Sequence, residues 1–213
     1  MLMFEKNSRI LVLAPHTDDG EMGCGGTINK LVEAGHEVYY VAFSSCSESL
    51  AKGLAPDTLI HEAGNATALL GIKPENLLIH DIPVRYFSEQ RQKILECLVS
   101  LKKDIQPTVI FAPSTHDIHQ DHATIANEAI RAFKSSTIFA YEIVWNNLIF
   151  ENRCYIEISE HNLAKKVEAI HAYKSQQLRS YMTEEFVRSL ANVRGVSIQK
   201  RYAEMFDVVR MVM

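Results

Sequence analysis

Apolar residues follow two alternating rhythms along this chain. Short, continuous, β-branched or aromatic runs at Ile10–Leu13, Val38–Phe43, Leu77–Ile79 and Thr108–Ala112 have the pattern of strands covered on both faces. Between them, apolar positions recur at helical spacing. Ile28, Leu31 and Val32 share one face of a helix from Thr27 to Ala34, closed by Gly35. A second helix spans about Asp57–Leu70 and stops at Gly71, and a third spans Glu89–Lys102 with Ile94, Leu98 and Leu101 in register. Ala126, Ala129, Ile130 and Phe133 mark a fourth helix, and Leu163, Val167 and Ile170 a fifth. Thr137–Trp145 and Tyr155–Ile158 read as strands of a hairpin turning near Asn146 and Asn147, and Ala203–Val212 as a late strand. Strand, helix and strand within about thirty-five residues make a right-handed βαβ unit with parallel strands. The fold expected is a single α/β, Rossmann-like domain over residues 1–213, with a mostly parallel sheet flanked by helices.

Two of these strands end in chemistry. Pro15 stops the first, and His16, Thr17, Asp18 and Asp19 follow at once. Pro113 stops the fourth, and His116, Asp117, His119, Asp121 and His122 follow within nine residues. Imidazole and carboxylate are ligands of zinc, and a catalytic zinc needs three protein ligands plus water. The structural alternative for the first cluster is an Asx turn in which Asp18 or Asp19 merely caps a helix. In open α/β sheets, however, ligands bind outside the carboxyl ends of the strands where strand order reverses. Two such clusters at equivalent strand ends can therefore meet in one pocket although a hundred residues separate them.

Charge and composition narrow the partners. With 22 basic and 26 acidic side chains the net charge is −4, which gives no field for nucleic acid. The apolar runs are too short to span a membrane, and the N-terminal residues lack the order of a signal peptide. Four cysteines without Cys-x-x-Cys spacing argue against a disulfide framework and a thiolate metal site, so a cytoplasmic protein is expected, with a homo-oligomer left open. Cys24 reads as packing, and His36, after a capping glycine, as a solvated loop residue. The glycines at 23, 25 and 26 invite a dinucleotide reading, but Ile28 stands where the third glycine of that fingerprint belongs. Close helix packing explains them better.

Ala14-Pro-His-Thr-Asp-Asp-Gly-Glu21 resembles the Ala-His-Pro-Asp-Asp-Glu signature of the LmbE/PIG-L family of metal-dependent N-deacetylases, and His119-Gln-Asp-His122 its second signature, His-x-Asp-His. Ala172-Tyr-Lys-Ser-Gln176 and Tyr202-Ala-Glu-Met-Phe206 are similar to two later family segments, so the likeness runs through nearly the whole chain. It implies that His16, Asp19 and His122 hold Zn²⁺, or Fe²⁺ in its place. It further implies that Asp18 is the general base, that His119 stabilises the oxyanion, and that Asp121 is an orienting carboxylate. Asp121 beside His119 would keep that imidazole protonated. The implied substrate is a small N-acetylated molecule of the amino-sugar type. An amidase or esterase acting on a non-sugar substrate and a dinucleotide-binding protein are the alternatives. Here Pro15 precedes His16 and Gly20 parts Asp19 from Glu21, yet the His-x-Asp-Asp spacing survives. The Arg that grips the sugar in many members, three residues before a helix Glu read here as Glu62, is replaced by Leu59. Asp81 and Arg85, after the third strand, are the remaining candidates for substrate contact.

Overall fold

β1 (Arg9–Ala14) is the centre of the molecule, and its side chains explain why the run is apolar without alternation. In the computed structural model, which describes residues 4, 7–151 and 153–212, Ile10, Val12 and Ala14 face one layer of helices while Leu11 and Leu13 face the other. The first layer contains α1 (Asp19–Glu33), α2 (Thr58–Leu69), α5 (Glu160–His171) and α6 (Glu184–Val196). The second contains α3 (Arg91–Ile105) and α4 (Gln120–Ala132), which bury Ile94, Leu98, Ile125 and Ala129 against the sheet.

The other strands are β2 (Glu37–Ala42), β3 (Leu77–Ile79), β4 (Val109–Pro113), β5 (Thr137–Tyr141), β6 (Arg153–Glu157) and β7 (Ala203–Arg210), in the order β3-β2-β1-β4-β5-β7-β6. β1 pairs in parallel with β2 on one side and β4 on the other, with Ile10 opposite Val109 and Val12 opposite Phe111. The chain thus runs outward in one direction from β1 and then returns to extend the sheet the other way. This reversal puts the carboxyl ends of β1 and β4 side by side, so the sequence-distant clusters become neighbours.

Three elements differ from the sequence reading. β5 and β6 form no hairpin, because β7 lies between them and pairs antiparallel with both. The strand ends at Tyr141, before Trp145, and the segment after it joins the β4 turn through the Asp117–Asn147 bridge. α6 carries buried residues only at Val187, Ala191 and Gly195, too thin an apolar stripe to stand out in sequence. Finally, α1 starts at Asp19 rather than Thr27 because it is two helical pieces joined at Cys24, whose φ of −147° breaks the helix. The amides of Gly26 and Thr27, freed by the break, donate to the Glu204 carboxylate at 3.0 and 2.6 Å, and Lys166 Nζ neutralises it at 2.7 Å. The predicted start was therefore that of the second piece. His36 is buried against Phe4 rather than solvated. The N-terminal residues read for a signal peptide lie largely outside the described residues.

Glycine in the first piece serves close approach. A Cβ on Gly20 would lie 2.4 Å from the Tyr40 ring, and one on Gly23 would lie 2.3 Å from Tyr141. Both rings are fully buried, and the turn after β1 is bonded to the Tyr40 hydroxyl.

Candidate metal centre

The turn after β1 and the turn after β4 bring three donor atoms into a near-equilateral triangle. Asp19 Oδ2 lies 3.1 Å from His16 Nδ1 and 3.2 Å from His122 Nε2, and the two imidazole nitrogens are 3.3 Å apart. Zinc bound at about 2.0–2.1 Å in tetrahedral geometry holds its ligand atoms about 3.3–3.4 Å apart. The triangle fits that spacing. Each histidine is held from behind by a carboxylate, His16 Nε2 by Asp121 Oδ2 at 3.1 Å and His122 Nδ1 by Asp117 Oδ2 at 2.7 Å. A ligating histidine characteristically gives its outer N–H to such a partner, which fixes the tautomer and aims the other nitrogen inward.

His119 completes a group of three histidines whose ring nitrogens come within 4.8 Å of one another. Its Nδ1 accepts the backbone N–H of Asp121 at 3.2 Å, so it caps α4 and carries its proton on Nε2.

The electrostatics follow the geometry. Burial alone would lower His16, but the Asp19 charge and the Asp121 hydrogen bond outweigh it and raise the imidazole to about 9. Burial likewise opposes protonation of His122, yet Asp19 and Asp117 lift it to about 10. Asp19 is held well below the usual carboxylate range, since the two imidazolium charges overcome its burial. The convergence of these nitrogens is compatible with a metal site. Asp18 behaves differently: burial and then the Asp19 charge push its carboxyl up. It occupies the N-cap position of α1 but makes no cap hydrogen bond, so the purely structural alternative does not hold for its side chain.

His16, Asp18, Asp19, His119 and His122 all border one open cleft of about 220 Å³, and Arg85 borders it too. Asp81 does not. Its carboxylate accepts from Ser45 Oγ at 2.6 Å, away from the cleft lining. Asp121 is fully buried, and its side chain pairs with His16 and the Arg85 amide rather than with His119. Burial, with the charges of His122 and His16, lowers the pKa of His119, while the charges of Asp121 and Asp19 oppose the shift.

The sequence reading gave Asp117 no role of its own within the second cluster, although its spacing of five from His122 across a turn was the available signal. It also missed Arg179, Trp145 and Tyr181, which line the cleft from segments without recognisable pattern. Glu62 does not reach the lining. It accepts from the Ser175 amide and hydroxyl at 2.9 and 2.6 Å, fastening the segment that places Gln176 in the cleft. Leu59, on the same helix, forms part of the cleft wall.

A reversal-point site in an α/β sheet, lined by two histidines, two carboxylates and a third histidine, defines a hydrolytic type of centre rather than a nucleotide cradle. Residues 11–133 match the family model PIG-L, GlcNAc-PI de-N-acetylase. The chain belongs to the PIG-L/LmbE family, whose members are N-deacetylases, and is an enzyme of that hydrolase class. It is 26% identical over 227 residues to a diacetylchitobiose deacetylase of Thermococcus kodakarensis, covering 94% of this chain and 83% of the relative. The solved structure of N,N'-diacetylchitobiose deacetylase from Pyrococcus horikoshii superposes with a TM-score of 0.79 at 24% identity, covering 95% of this chain and 84% of that one. The 4-carboxy-2-hydroxymuconate hydratase GalB of Pseudomonas putida has a TM-score of 0.78 at 18% identity, covering 97% and 98%. The same fold therefore carries more than one chemistry, and function has to be argued from the site.

Proposed function

We propose that this protein is a metal-dependent N-deacetylase that hydrolyses the acetamide of a small N-acetylated molecule of the amino-sugar type, with residues 1–213 as one deacetylase domain. The observation that carries this reading is the triangle of His16 Nδ1, Asp19 Oδ2 and His122 Nε2, with both histidines braced by carboxylates. These three residues would hold the metal, Zn²⁺ by the fit of the spacing, while two histidines and one carboxylate also suit Fe²⁺. When bound, such an ion polarises a carbonyl oxygen and makes water acidic enough to attack near neutral pH.

The remaining steps belong to the protein. Asp18, with its carboxyl free of any cap bond, accepts a proton from the attacking water as the new C–O bond forms. Its raised pKa suits it to return that proton to the departing nitrogen when the C–N bond breaks, leaving acetate and a free amine. His119 offers Nε2–H to the carbonyl oxygen as negative charge develops there, acting as a neutral donor since its Nδ1 is engaged in the α4 cap. Asp121 and Asp117 touch no substrate and keep the two ligating imidazoles in place.

The reading is tested by stripping the protein with a chelator, reloading it with Zn²⁺ or, without oxygen, Fe²⁺, and measuring bound metal and acetate release from a panel of N-acetyl sugars. One metal per chain and metal-dependent acetate release are expected. Absence of bound metal would overturn the centre. Bound metal without acetate release from any N-acetyl compound would overturn the deacetylase assignment.

A further inference from the structure

The helix that brings Asp18 and Asp19 to the metal centre is not one rod. α1 is interrupted at Cys24, whose φ of −147° closes a short first piece, residues 19–23, before the longer second piece begins. A helix this short does not hold a direction by its own hydrogen bonds. The first piece takes its direction partly from what lies beneath it. Gly20 N–H donates to the Tyr40 hydroxyl at 3.0 Å, and the Tyr141 ring lies against Gly23. At its other end it is joined through Cys24 to the second piece, so the angle of the break also sets where it points.

That second piece begins without a local cap. Its first amides would ordinarily meet a Ser, Thr, Asp or Asn just before them, but the sequence there is Gly23-Cys24-Gly25. The cap comes instead from β7, 178 positions beyond Gly26. Glu204 Oε1 accepts the Gly26 amide at 3.0 Å and Oε2 the Thr27 amide at 2.6 Å, while Lys166 Nζ of α5 donates to Oε1 at 2.7 Å. Both charged side chains are buried. A Cβ on Gly26 would lie 3.3 Å from Glu204 Oε1, so the close approach uses the missing side chain. A buried ion pair adds little net stability, since desolvation offsets the attraction. Its effect here is directional: with both oxygens committed to successive amides, the carboxylate fixes the start of the second piece and therefore the exit of the first. A neighbouring pair gives the contrast. Glu142 and Arg194 are joined in the same recess, yet among the described residues no hydrogen bond ties either of them to α1.

We propose that Glu204 is a positioning residue of the metal centre: clasped by Lys166, it sets the break at Cys24 and thereby the placement of Asp19 as a ligand and Asp18 as the base. This rests on the metal-dependent reading above and extends it to two residues that border no part of the cleft. Their influence on the metal runs through the backbone of α1.

The test uses two variants of the full chain. Glu204→Gln keeps the side-chain shape, but its carbonyl can accept at only one of the two oxygen positions, and Lys166 is left charged without its carboxylate. Lys166→Met/Glu204→Gln removes both charges, a change that buried pairs often tolerate, and supplies a folded protein if the single variant fails to fold. Each is compared with wild type for Zn²⁺ affinity by chelator competition and for the visible absorption of the Co²⁺-loaded protein. Affinity is expected to fall about tenfold in both, the lower end of what the loss of an orienting partner costs. The Co²⁺ bands, which report ligand geometry, are expected to shift. Glu142→Gln is the control: it breaks a buried pair of the same recess and should keep wild-type affinity and bands. A purely structural Glu204 would lower the melting temperature while affinity and spectrum of the folded variants stay at wild type, and that result overturns the proposal. Equal loss of affinity in Glu142→Gln would overturn it as well, since any damage to the recess would then reach the metal. A wild-type protein that binds no metal would overturn the metal-dependent reading, and amide hydrogen exchange on the metal-free proteins would still judge the clasp. There residues 18–23 should exchange faster in the double variant than in wild type or Glu142→Gln. Equal exchange in all three overturns the proposal.

Discussion

The two turns that make the site are held in opposite ways. The turn after β4 is held mainly by its own side chains, besides its bridge to Asn147. Asp117 Oδ1 accepts the His119 amide at 2.8 Å while Oδ2 takes His122 Nδ1 at 2.7 Å, and Ser114 Oγ accepts the His116 amide at 3.1 Å. The turn after β1 closes one comparable local bond, from the His16 amide to Asp19 Oδ2 at 2.8 Å. Its other support comes from far along the chain. Thr17 O accepts from the Tyr40 hydroxyl at 2.9 Å and from the Tyr173 hydroxyl at 2.6 Å, and the Glu21 carboxyl contacts both hydroxyls. Three of the proposed active groups, His16, Asp18 and Asp19, therefore stand on a platform assembled by tertiary packing. His119 and His122 stand on one that their own segment provides.

The largest effects should come from the groups proposed to handle protons, one from each turn, and they separate the two kinds of support. Asp18→Asn keeps the side-chain shape and breaks no cap bond, so metal content and melting temperature should stay at wild-type values. Turnover should fall about 10²–10⁴-fold, the usual contribution of a general base. His119→Ala should also keep its metal and lose about 10²–10³-fold in turnover. Unlike Asp18→Asn, it removes the α4 cap and should lower stability by about 1 kcal/mol. Metal analysis, steady-state kinetics and thermal melts on the two variants check all three quantities. Metal loss in His119→Ala would make it a ligand, and a near-normal rate in Asp18→Asn would remove Asp18 from the mechanism.

The next effects concern the carboxylates behind the ligands. Asp117→Asn and Asp121→Asn should each weaken metal binding about 10–100-fold, measured by competition with a chelator. Metal affinity should rise with pH from about 6.5 upward, because His16 and His122, lifted to about 9 and about 10, must lose protons to bind. The metal-free protein should show the reverse trend. Stability from two imidazoles with raised pKa is fully present below about 6.5 and is lost as pH rises through about 9 to 10. Metal affinity independent of pH over this range would remove these histidines from the ligand set.

This contrast also explains what could be read in the sequence. The strand ends, the βαβ start and the residues His16, Asp18, Asp19, His119 and His122 were legible because short-range patterns mark them. Asp117 belongs to the self-supporting turn, and its spacing from His122 was visible, but only the folded turn shows both its oxygens engaged. The Tyr40–Tyr173–Glu21 platform was hidden, because nothing local links residues 23 and 156 positions away to Thr17. The insertion of β7 between β5 and β6 was hidden for a related reason. A late strand pairs by long-range register, and two strands close in sequence imitate a hairpin. Arg179 and Tyr181 lie in a segment whose placement depends on packing, with no periodicity to mark it.

The smallest expected effect at neutral pH tests the long-range platform itself. Glu21 is fully buried, and burial raises its carboxyl to about 8, although the Tyr40 hydrogen bond pulls the other way. At pH 7 it is therefore mainly a neutral acid among hydroxyls. Between about 4.5 and 8 the folded chain keeps a proton that the unfolded chain has released, so this group makes stability fall as pH rises across that window. Glu21→Gln is neutral at every pH, and its amide and carbonyl can replace the acid's donor and acceptor toward Tyr40 and Tyr173. The variant should melt near wild type at pH 5 and at a higher temperature than wild type at pH 8 to 9. Tyr173→Phe should instead lower stability by about 1 kcal/mol at all these values, through the lost bond to Thr17 O. Both proteins are compared with wild type in the same metal state, so the slopes due to His16 and His122 cancel in the difference. Parallel melting curves for Glu21→Gln and wild type from pH 5 to 9 would mean that Glu21 is ionised in the fold, and that the β1 turn rests on a buried charge instead of a neutral network.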